Sequence, residues 1–432
     1  MGPAFPLFPQ ANPMFRTGAQ MFLIALVAGL FLLRESGQRW GAEVDGAFAD
    51  WLTIHAPRPL AAAPPVILVA IDAASVAEHP WPWTPLDFSL FIQAAQGFSP
   101  AVVAVADVLD WDRSKLNGSE QQKLVQYERI LRDALLRCPK PLLGAELGLP
   151  DDPQAIPPLQ EVPLVRRVTG DAGAIPQWSV VERQAREEYR LSATTGFTNL
   201  PDPGVAARTA PMLLRYRGQI VPSFTLQAAL LYLQLGADDV SGVLGSHLQL
   251  GSGVRVPINE RGEMRVNFAL PRTTFTFDEL LLASEQVAAK LRPVVAVEKV
   301  RGSILLLART DLPARTLHFG GRGAGTAGEL MAAAIATIQS GAFPRRIAVW
   351  FDWALLAGVL LLCFRIPRWP KSRVVLGSLL ALLVYTMAAM AAFGQVLVWL
   401  PLLLPAGLTL FVMLYRWATP DWATRPRRPV IF

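Results

Sequence analysis

Cysteine is nearly absent from this chain: Cys138 and Cys363 are the two thiols in 432 residues. Two distant thiols cannot form a disulfide framework, so a folded domain here must rely on its own core, on either side of a membrane. The four histidines, His55, His79, His247 and His318, are scattered without ligand spacing, and no metal site or cofactor is expected. Charge is scarce as well. Asp, Glu, Lys and Arg make up 17% of residues against 52% hydrophobic, and the mean hydropathy is +0.33. Ordinary globular chains carry more charge and less apolar weight, so membrane segments must be mixed with a soluble region. The net charge of +6 does not form a basic stripe. Many basic residues flank apolar runs, which excludes nucleic acid as the expected partner and makes the lipid bilayer the first one.

What is present is a set of apolar runs at both ends. Residues 1–16 form a Pro-rich tail ending at Arg16, and Arg16 and Arg34 bracket the first run. Residues 17–34 are long enough for one transmembrane anchor. No small-x-small site directly follows, so an uncleaved anchor is expected rather than a signal peptide. Toward the C-terminus, 347–364 is apolar except for Asp352, and 374–415 contains no charged side chain. That leaves room for spans at 347–364, 374–393 and 396–415, with a turn at Phe393-Gly394-Gln395. Trp350, Trp353, Trp369, Trp399, Tyr415 and Trp417 lie near the span ends, as aromatic belts do. Arg365, Arg368, Lys371 and Arg373, and then Arg416, Arg425, Arg427 and Arg428, mark the cytoplasmic side. This orientation puts both termini, 1–16 and 416–432, in the cytoplasm and 35–346 outside.

The exported region reads as α/β. Val66-Ile67-Leu68-Val69-Ala70-Ile71 is six unbroken apolar residues, the signature of a strand covered on both faces. A helix is expected over 85–97, a second apolar strand over 101–107, a charged helix over 119–137 and a third strand over 141–146. Strands alternating with helices predict a mixed, largely parallel sheet. Residues 150–190 read as a long excursion, with the fold resuming at Thr195-Gly196-Phe197-Thr198-Asn199 and a turn at Pro201-Asp202-Pro203-Gly204. A helix capped by Ser223, short antiparallel strands between 248 and 268, a buried strand over 303–308 and a helix over 329–340 follow. Residues 35–60, with Trp40, Val44, Phe48, Trp51 and Leu52 at helical spacing, suit an amphipathic helix continuing from the anchor.

Asp72 and Asp107 each end an apolar strand. On neighbouring parallel strands both carboxylates would face the crevice beyond the carboxyl ends, where α/β sheets bind ligands. Asp72, Ser75, Trp81, Trp83, Asp107 and Asn199 are therefore the candidate ligand-binding residues, the plain alternative being helix caps and core packing. No catalytic residue is assigned. Gly323-Ala324-Gly325-Thr326-Ala327-Gly328 matches G-x-G-x-x-G, but no acid stands about 20 residues on, so a turn into a close-packed helix is the better reading. Asp352 is a functional candidate because a carboxylate is costly in lipid, although it lies near enough to a span end to reach the interface.

The order of these pieces resembles the CHASE type 2 domain, an extracellular sensory module of bacterial cyclases, histidine kinases and serine/threonine kinases. The pieces that carry the resemblance are 66–72 with Ser75 and Trp81-Pro82-Trp83, 102–107, Gly196-Phe197-Thr198-Asn199 and Asp202-Pro203-Gly204-Val205-Ala206-Ala207-Arg208. Val221-Pro222-Ser223-Phe224, Val266-Asn267-Phe268 and Gly328-Glu329 with Ala333, Ile335, Ala336 and Thr337 continue the series. The resemblance covers about 40–345, and three following spans are typical of the family. The chain departs from the pattern at Met331, where a His is usual, and near Ala308, where a Gly is expected. The resemblance implies a sensory α/β domain in the periplasm of a bacterial inner-membrane protein with four transmembrane helices. Only residues 416–432 follow the last expected span, so a separate protein is expected to carry the output, and a homodimer is compatible with this. The alternative is a structural or accessory subunit of a larger envelope complex. An enzyme is not expected.

Overall fold

The computed structural model describes residues 13–36, 38–56, 62–111, 118–150, 162–200, 207–311, 317–319 and 323–419. The Pro201–Gly204 turn, part of the 150–190 excursion, the tail 1–12 and Arg425, Arg427 and Arg428 lie outside them. The chain divides into two compact units, 60–344 and a helical unit made of 1–59 with 345–432.

In chain order the elements begin with α1 (Pro13–Ser36) and α2 (Arg39–His55). β1 (Val66–Ile71) leads through α3 (Ala73–Glu78) to α4 (Pro85–Gly97). β2 (Val102–Val105), α5 (Gly118–Arg137) and β3 (Pro141–Gly148) follow, then β4 (Val180–Gln184), the single turn α6 (Glu187–Arg190) and β5 (Thr194–Phe197). α7 (Phe224–Leu233), β6 (Thr273–Thr276), α8 (Phe277–Ala288), β7 (Ile304–Arg309) and α9 (Ala327–Ser340) complete the domain. The last three helices are α10 (Trp350–Leu362), α11 (Lys371–Val396) and α12 (Leu403–Ala418).

The central sheet has the order β6-β1-β7-β2-β3, with β4 and β5 sharing the far edge of β3. Every pairing is parallel except β3 with β4. Strict alternation in β1 explains its unbroken apolar run. Ile67, Val69 and Ile71 pack with Phe88, Phe91 and Ile92 of α4, Leu131 of α5 and Leu280 of α8. Val66 and Leu68 face the other layer, with Phe224 and Ala228 of α7 and Met331, Ile335 and Ala336 of α9. A strand covered on both faces has no polar side. The opposite sides of α7 and α9 bury Leu226, Leu230, Leu330 and Ala334 against a set of small strands, among them the antiparallel run Val240–Val243, His247–Leu250 and Val254–Pro257. With neighbours on two sides, α9 is apolar without a break from Leu330 to Ala336.

Two features depart from the sequence expectation. β7 lies between β1 and β2, so Asp72 and Asp107 do not end neighbouring strands. Part of the expected excursion, Val180–Gln184, is a sheet strand, β4, whose register with β3 shifts between Glu146 and Leu147.

Among the described residues of the helical unit, two helices are long and apolar enough to cross a membrane, Thr17–Ser36 and Lys371–Val396. The four expected spans are not matched by four such helices. α10 has 13 residues and α12 has 16, about 20 and 24 Å against a hydrocarbon core of about 30 Å. The cause is local: α10 starts only at Trp350, and 397–402 form a connector whose Val398–Trp399 pairs with Arg345–Arg346. α11 runs through Gly394 to Val396 and is followed by Leu397 in a left-handed conformation (φ 56°), so the expected turn at 393–395 is helix. Trp399 is buried rather than belt-exposed, unlike Trp350, Trp353, Trp369 and Trp417. α2 buries Phe48, Ala49 and Leu52 among Ala389, Phe393 and Leu400, so the amphipathic helix belongs to the helical unit.

Gly144 and Gly97 offer a paired test of the sheet packing. A Cβ on Gly144 would sit 2.2 Å from the Ala106 carbonyl oxygen, whereas one on Gly97 meets nothing within 4 Å. Gly144→Ala is expected to cost about 1–3 kcal/mol, and Gly97→Ala to stabilise by about 0.4–1 kcal/mol. Denaturant unfolding of the full chain in detergent measures both.

Candidate functional site

Parallel strands that end together leave a crevice beyond their carboxyl ends, because the connections run to opposite layers. Here that crevice is a cleft of about 430 Å³ in the domain. Its walls are Ala106–Val108 after β2, Ala308 and Arg309 of β7, Glu146 and Leu147 of β3, Glu182 and Arg183 of β4, and Thr198–Leu200 after β5. Trp178, Leu317 and the first turn of α9 (Thr326, Ala327, Gly328 and Met331) close it.

Of the six candidate residues, Asp107 and Asn199 line this cleft and the other four do not. Asn199 serves the wall itself. Its Oδ1 accepts from the Leu147 N–H at 2.8 Å and its Nδ2 donates to the Leu147 carbonyl at 2.7 Å. One side-chain amide thus replaces a strand partner where the β3 ladder shifts register. Asp72 caps α3, its Oδ1 accepting from Ser75 N–H at 2.8 Å, and Ser75 Oγ donates to Asp278 Oδ2 at 2.7 Å. Those contacts tie α3 to α8. Trp83 is core, 2% exposed, with its ring centroid 4.3 Å from that of Phe277 and its Nε1–H donated to the His79 carbonyl. Trp81 packs edge-on to Phe88 and carries the Arg309 guanidinium 4.0 Å above its ring. Asp72 and Asp107 are corrected as a facing pair. With β7 between them their strands stand roughly 10 Å apart, twice the interstrand spacing, too far for direct joint work on one atom.

Sequence reasoning missed most of the charged lining. Arg309 obeys the same strand-end rule that singled out Asp72 and Asp107, since it follows the apolar run 304–308. Its Nε and Nη2 grip Asp311 at 2.9 and 2.7 Å, and stacking on Trp81 fixes the guanidinium plane at the cleft wall. Glu146 and Arg183 face each other across β3 and β4 with N and O 3.3 Å apart. They and Glu182 were hidden because nothing in the local pattern of 180–184 says which strand it joins. The G-x-G-x-x-G run supplies a turn and a close approach. Gly323 has φ 84°, and a Cβ on Gly328 would lie 2.6 Å from that of Ala308. Thr326 and Glu329 close the helix start as a capping box.

The cleft therefore offers charges of both signs, an aromatic donor in Trp178 whose Nε1 is buried without a hydrogen-bond partner, and an apolar floor. Among the described residues no group of His, Cys, Asp and Glu could hold a metal ion. Cys138 lies apart from the cleft in the α4/α5 layer, where burial pushes its thiol up to about 12, so it stays protonated at neutral pH and is a packing residue.

Asn199→Leu removes both partners of the Leu147 peptide groups. The expected cost is about 2–4 kcal/mol, read as a lowered denaturant midpoint, while Asp72→Asn, which keeps an acceptor for Ser75 N–H, should shift it by less than about 1 kcal/mol.

Comparison with known proteins agrees with this architecture. The family model of the CHASE2 domain matches residues 22–366. No curated protein and no solved structure matches. The match takes in the greater part of the chain, from within α1 to just past α10, and includes the whole α/β unit: the chain belongs to the CHASE2 domain family.

Proposed function

We propose that this protein is a membrane-anchored extracytoplasmic receptor whose α/β domain takes a small ligand in the cleft at the carboxyl ends of β2, β3 and β7. CHASE2 domains are extracellular sensory domains, and the observation that supports a ligand site is the cleft of about 430 Å³ with polar and apolar walls. Binding reports a signal only when two states of the domain hold the ligand with different affinity. The division between the domain and the helical unit falls at 59–60 and 344–345 of the chain. The change then passes through α1 and α10–α12 to a separate protein that carries the output. The separation of Asp72 from Asp107 favours reception over catalysis.

The orientation proposed is that of a bacterial inner-membrane protein with the domain in the periplasm and α1, α10, α11 and α12 associated with the bilayer. Exposed Leu23, Val27 and Phe31 of α1, Leu361 of α10, Leu376, Leu380 and Leu383 of α11 and Leu410 and Leu414 of α12 supply its apolar faces. Helix packing is close where Gly29 meets Leu356 and Gly407 meets Leu32, sites at which a Cβ would come within 2.3 and 2.6 Å of a leucine methyl. Such notches join α1, α10 and α12 as packed helices rather than independent anchors.

A thermal-shift screen of the full chain in detergent against amino acids, carboxylates, amines and sugars should yield a stabilising compound. Ala327→Phe, in the half-exposed first turn of α9 at the cleft wall, should abolish the shift while changing unliganded stability by no more than about 0.5 kcal/mol. No stabilising compound, together with copurification in fixed stoichiometry with envelope proteins, would favour an accessory subunit instead. For topology, reporter fusions at 370 and 432 should both read cytoplasmic; a periplasmic signal at either overturns the orientation.

A further inference from the structure

We propose that the connector between α11 and α12, residues 397–402, couples the two chain segments that join the helical unit to the domain, with Asp45 and Arg346 as its positioning residues. The incoming segment, α2, holds the connector through Asp45, which is 3% exposed. One oxygen, Oδ1, accepts the N–H groups of both Leu402 and Leu403 at 2.8 Å, from 357 and 358 residues away in sequence. These are the first donors of α12, whose own N-cap position, Leu402, has no side-chain acceptor. A helix start left uncapped exposes unsatisfied N–H groups. Here the cap comes from a different helix, so the start of α12 depends on where α2 stands. Burial raises the Asp45 carboxyl above its ordinary value, and the two N–H donors pull against that rise.

The outgoing segment holds the other end. Arg345–Arg346 pairs in parallel with Val398–Trp399, with Arg345 N–H donating to the Leu397 carbonyl at 2.9 Å and Ile347 N–H to the Trp399 carbonyl at 3.0 Å. The Arg346 guanidinium donates to Asp352 Oδ2 at 2.7 Å and lies 5.9 Å from the Trp399 ring centroid. Tyr385 of α11 donates its hydroxyl to the Pro401 carbonyl. The connector is thus held from α2, from the exit strand and from α11, with Trp399 and Leu400 buried among Phe48, Leu52 and Phe393.

Two features mark it as an element with a second arrangement in reach. Leu397 sits in the left-handed region, a strained conformation for a non-glycine residue that persists only under constraint. Asp352, 2% exposed, has Oδ1 without a hydrogen-bond partner, an imbalance that a moved donor could relieve. Moving α2 against the exit strand must break one hold or the other, which turns a displacement in the domain into a change at the head of α12.

This inference rests on the reading that the domain signals through the bundle, but its test needs no ligand. Hydrogen exchange is measured on the full chain in lipid nanodiscs. Asp45→Ala should speed exchange at Leu402 and Leu403 about five- to tenfold, while Asp45→Asn, which keeps the oxygen acceptor, stays near wild type. Arg346→Met touches neither amide but removes a charge that acts on Asp45. Arg346→Lys keeps that charge and loses the guanidinium's geometry, so a purely local role would leave exchange in Arg346→Lys near wild type; coupling predicts that both variants accelerate it. Unchanged protection within 20–33 of α1 certifies the fold. If Asp45→Ala fails that check, Arg346→Met and Arg346→Lys decide. Wild-type exchange at Leu402 and Leu403 in the folded Arg346 variants overturns the proposal without touching the cleft, and a failed ligand screen would leave the connector standing.

Discussion

The domain depends on the parallel pairing of β1 with β7, Val66–Ile71 against Ile304–Arg309. These strands come from opposite ends of the α/β unit, and their ladder closes only after everything between them has been laid down. The entropy of that closure is repaid by six consecutive ladder positions, whose side chains are buried on both faces apart from the last on β7, Arg309. Each fully buried Val, Ile or Leu contributes about 1.5–3 kcal/mol, so the two strands supply much of what holds the layers together. Remove this pairing and β2 loses its neighbour, β6 its sheet, and α9 its floor.

The same pairing shapes the cleft. By inserting β7 between β1 and β2 it puts Arg309, rather than a second carboxylate, beside Asp107 at the carboxyl ends of the sheet. Asp72 caps α3, Ser75 is turned toward α8, and Trp83 is committed to the core. Arg309 is then the residue where recognition surface and aromatic cluster meet, since it lines the cleft, grips Asp311 and covers Trp81.

Much of this was readable along the chain. The 66–71 run announced a strand covered on both faces and the 303–308 run a buried strand, because burial from two sides permits no polar alternation. Ser223 announced the start of α7, because caps act within a few residues. The family resemblance rested on the same local signals. The α8 helix was not read, although Thr276 and Glu279 form a capping box at its start. β4 escaped because a five-residue segment with two charges carries no signal for the strand it will join.

Sequence by itself determined the two-part character of the protein, the identity of most strands and helices, and the placement of basic residues around the apolar runs. These follow from local periodicity and composition, which each segment carries alone. Only the tertiary structure decided that β7 separates Asp72 from Asp107, that Asn199 is spent on Leu147, and that Asp45 caps a helix 357 residues away. It also decided that six residues after α11 become a connector and leave α12 short of a full span. The reason is common to all four. Strand order, cross-chain capping and the partner of a polar side chain depend on which distant segments meet, and no window of neighbouring residues contains that information.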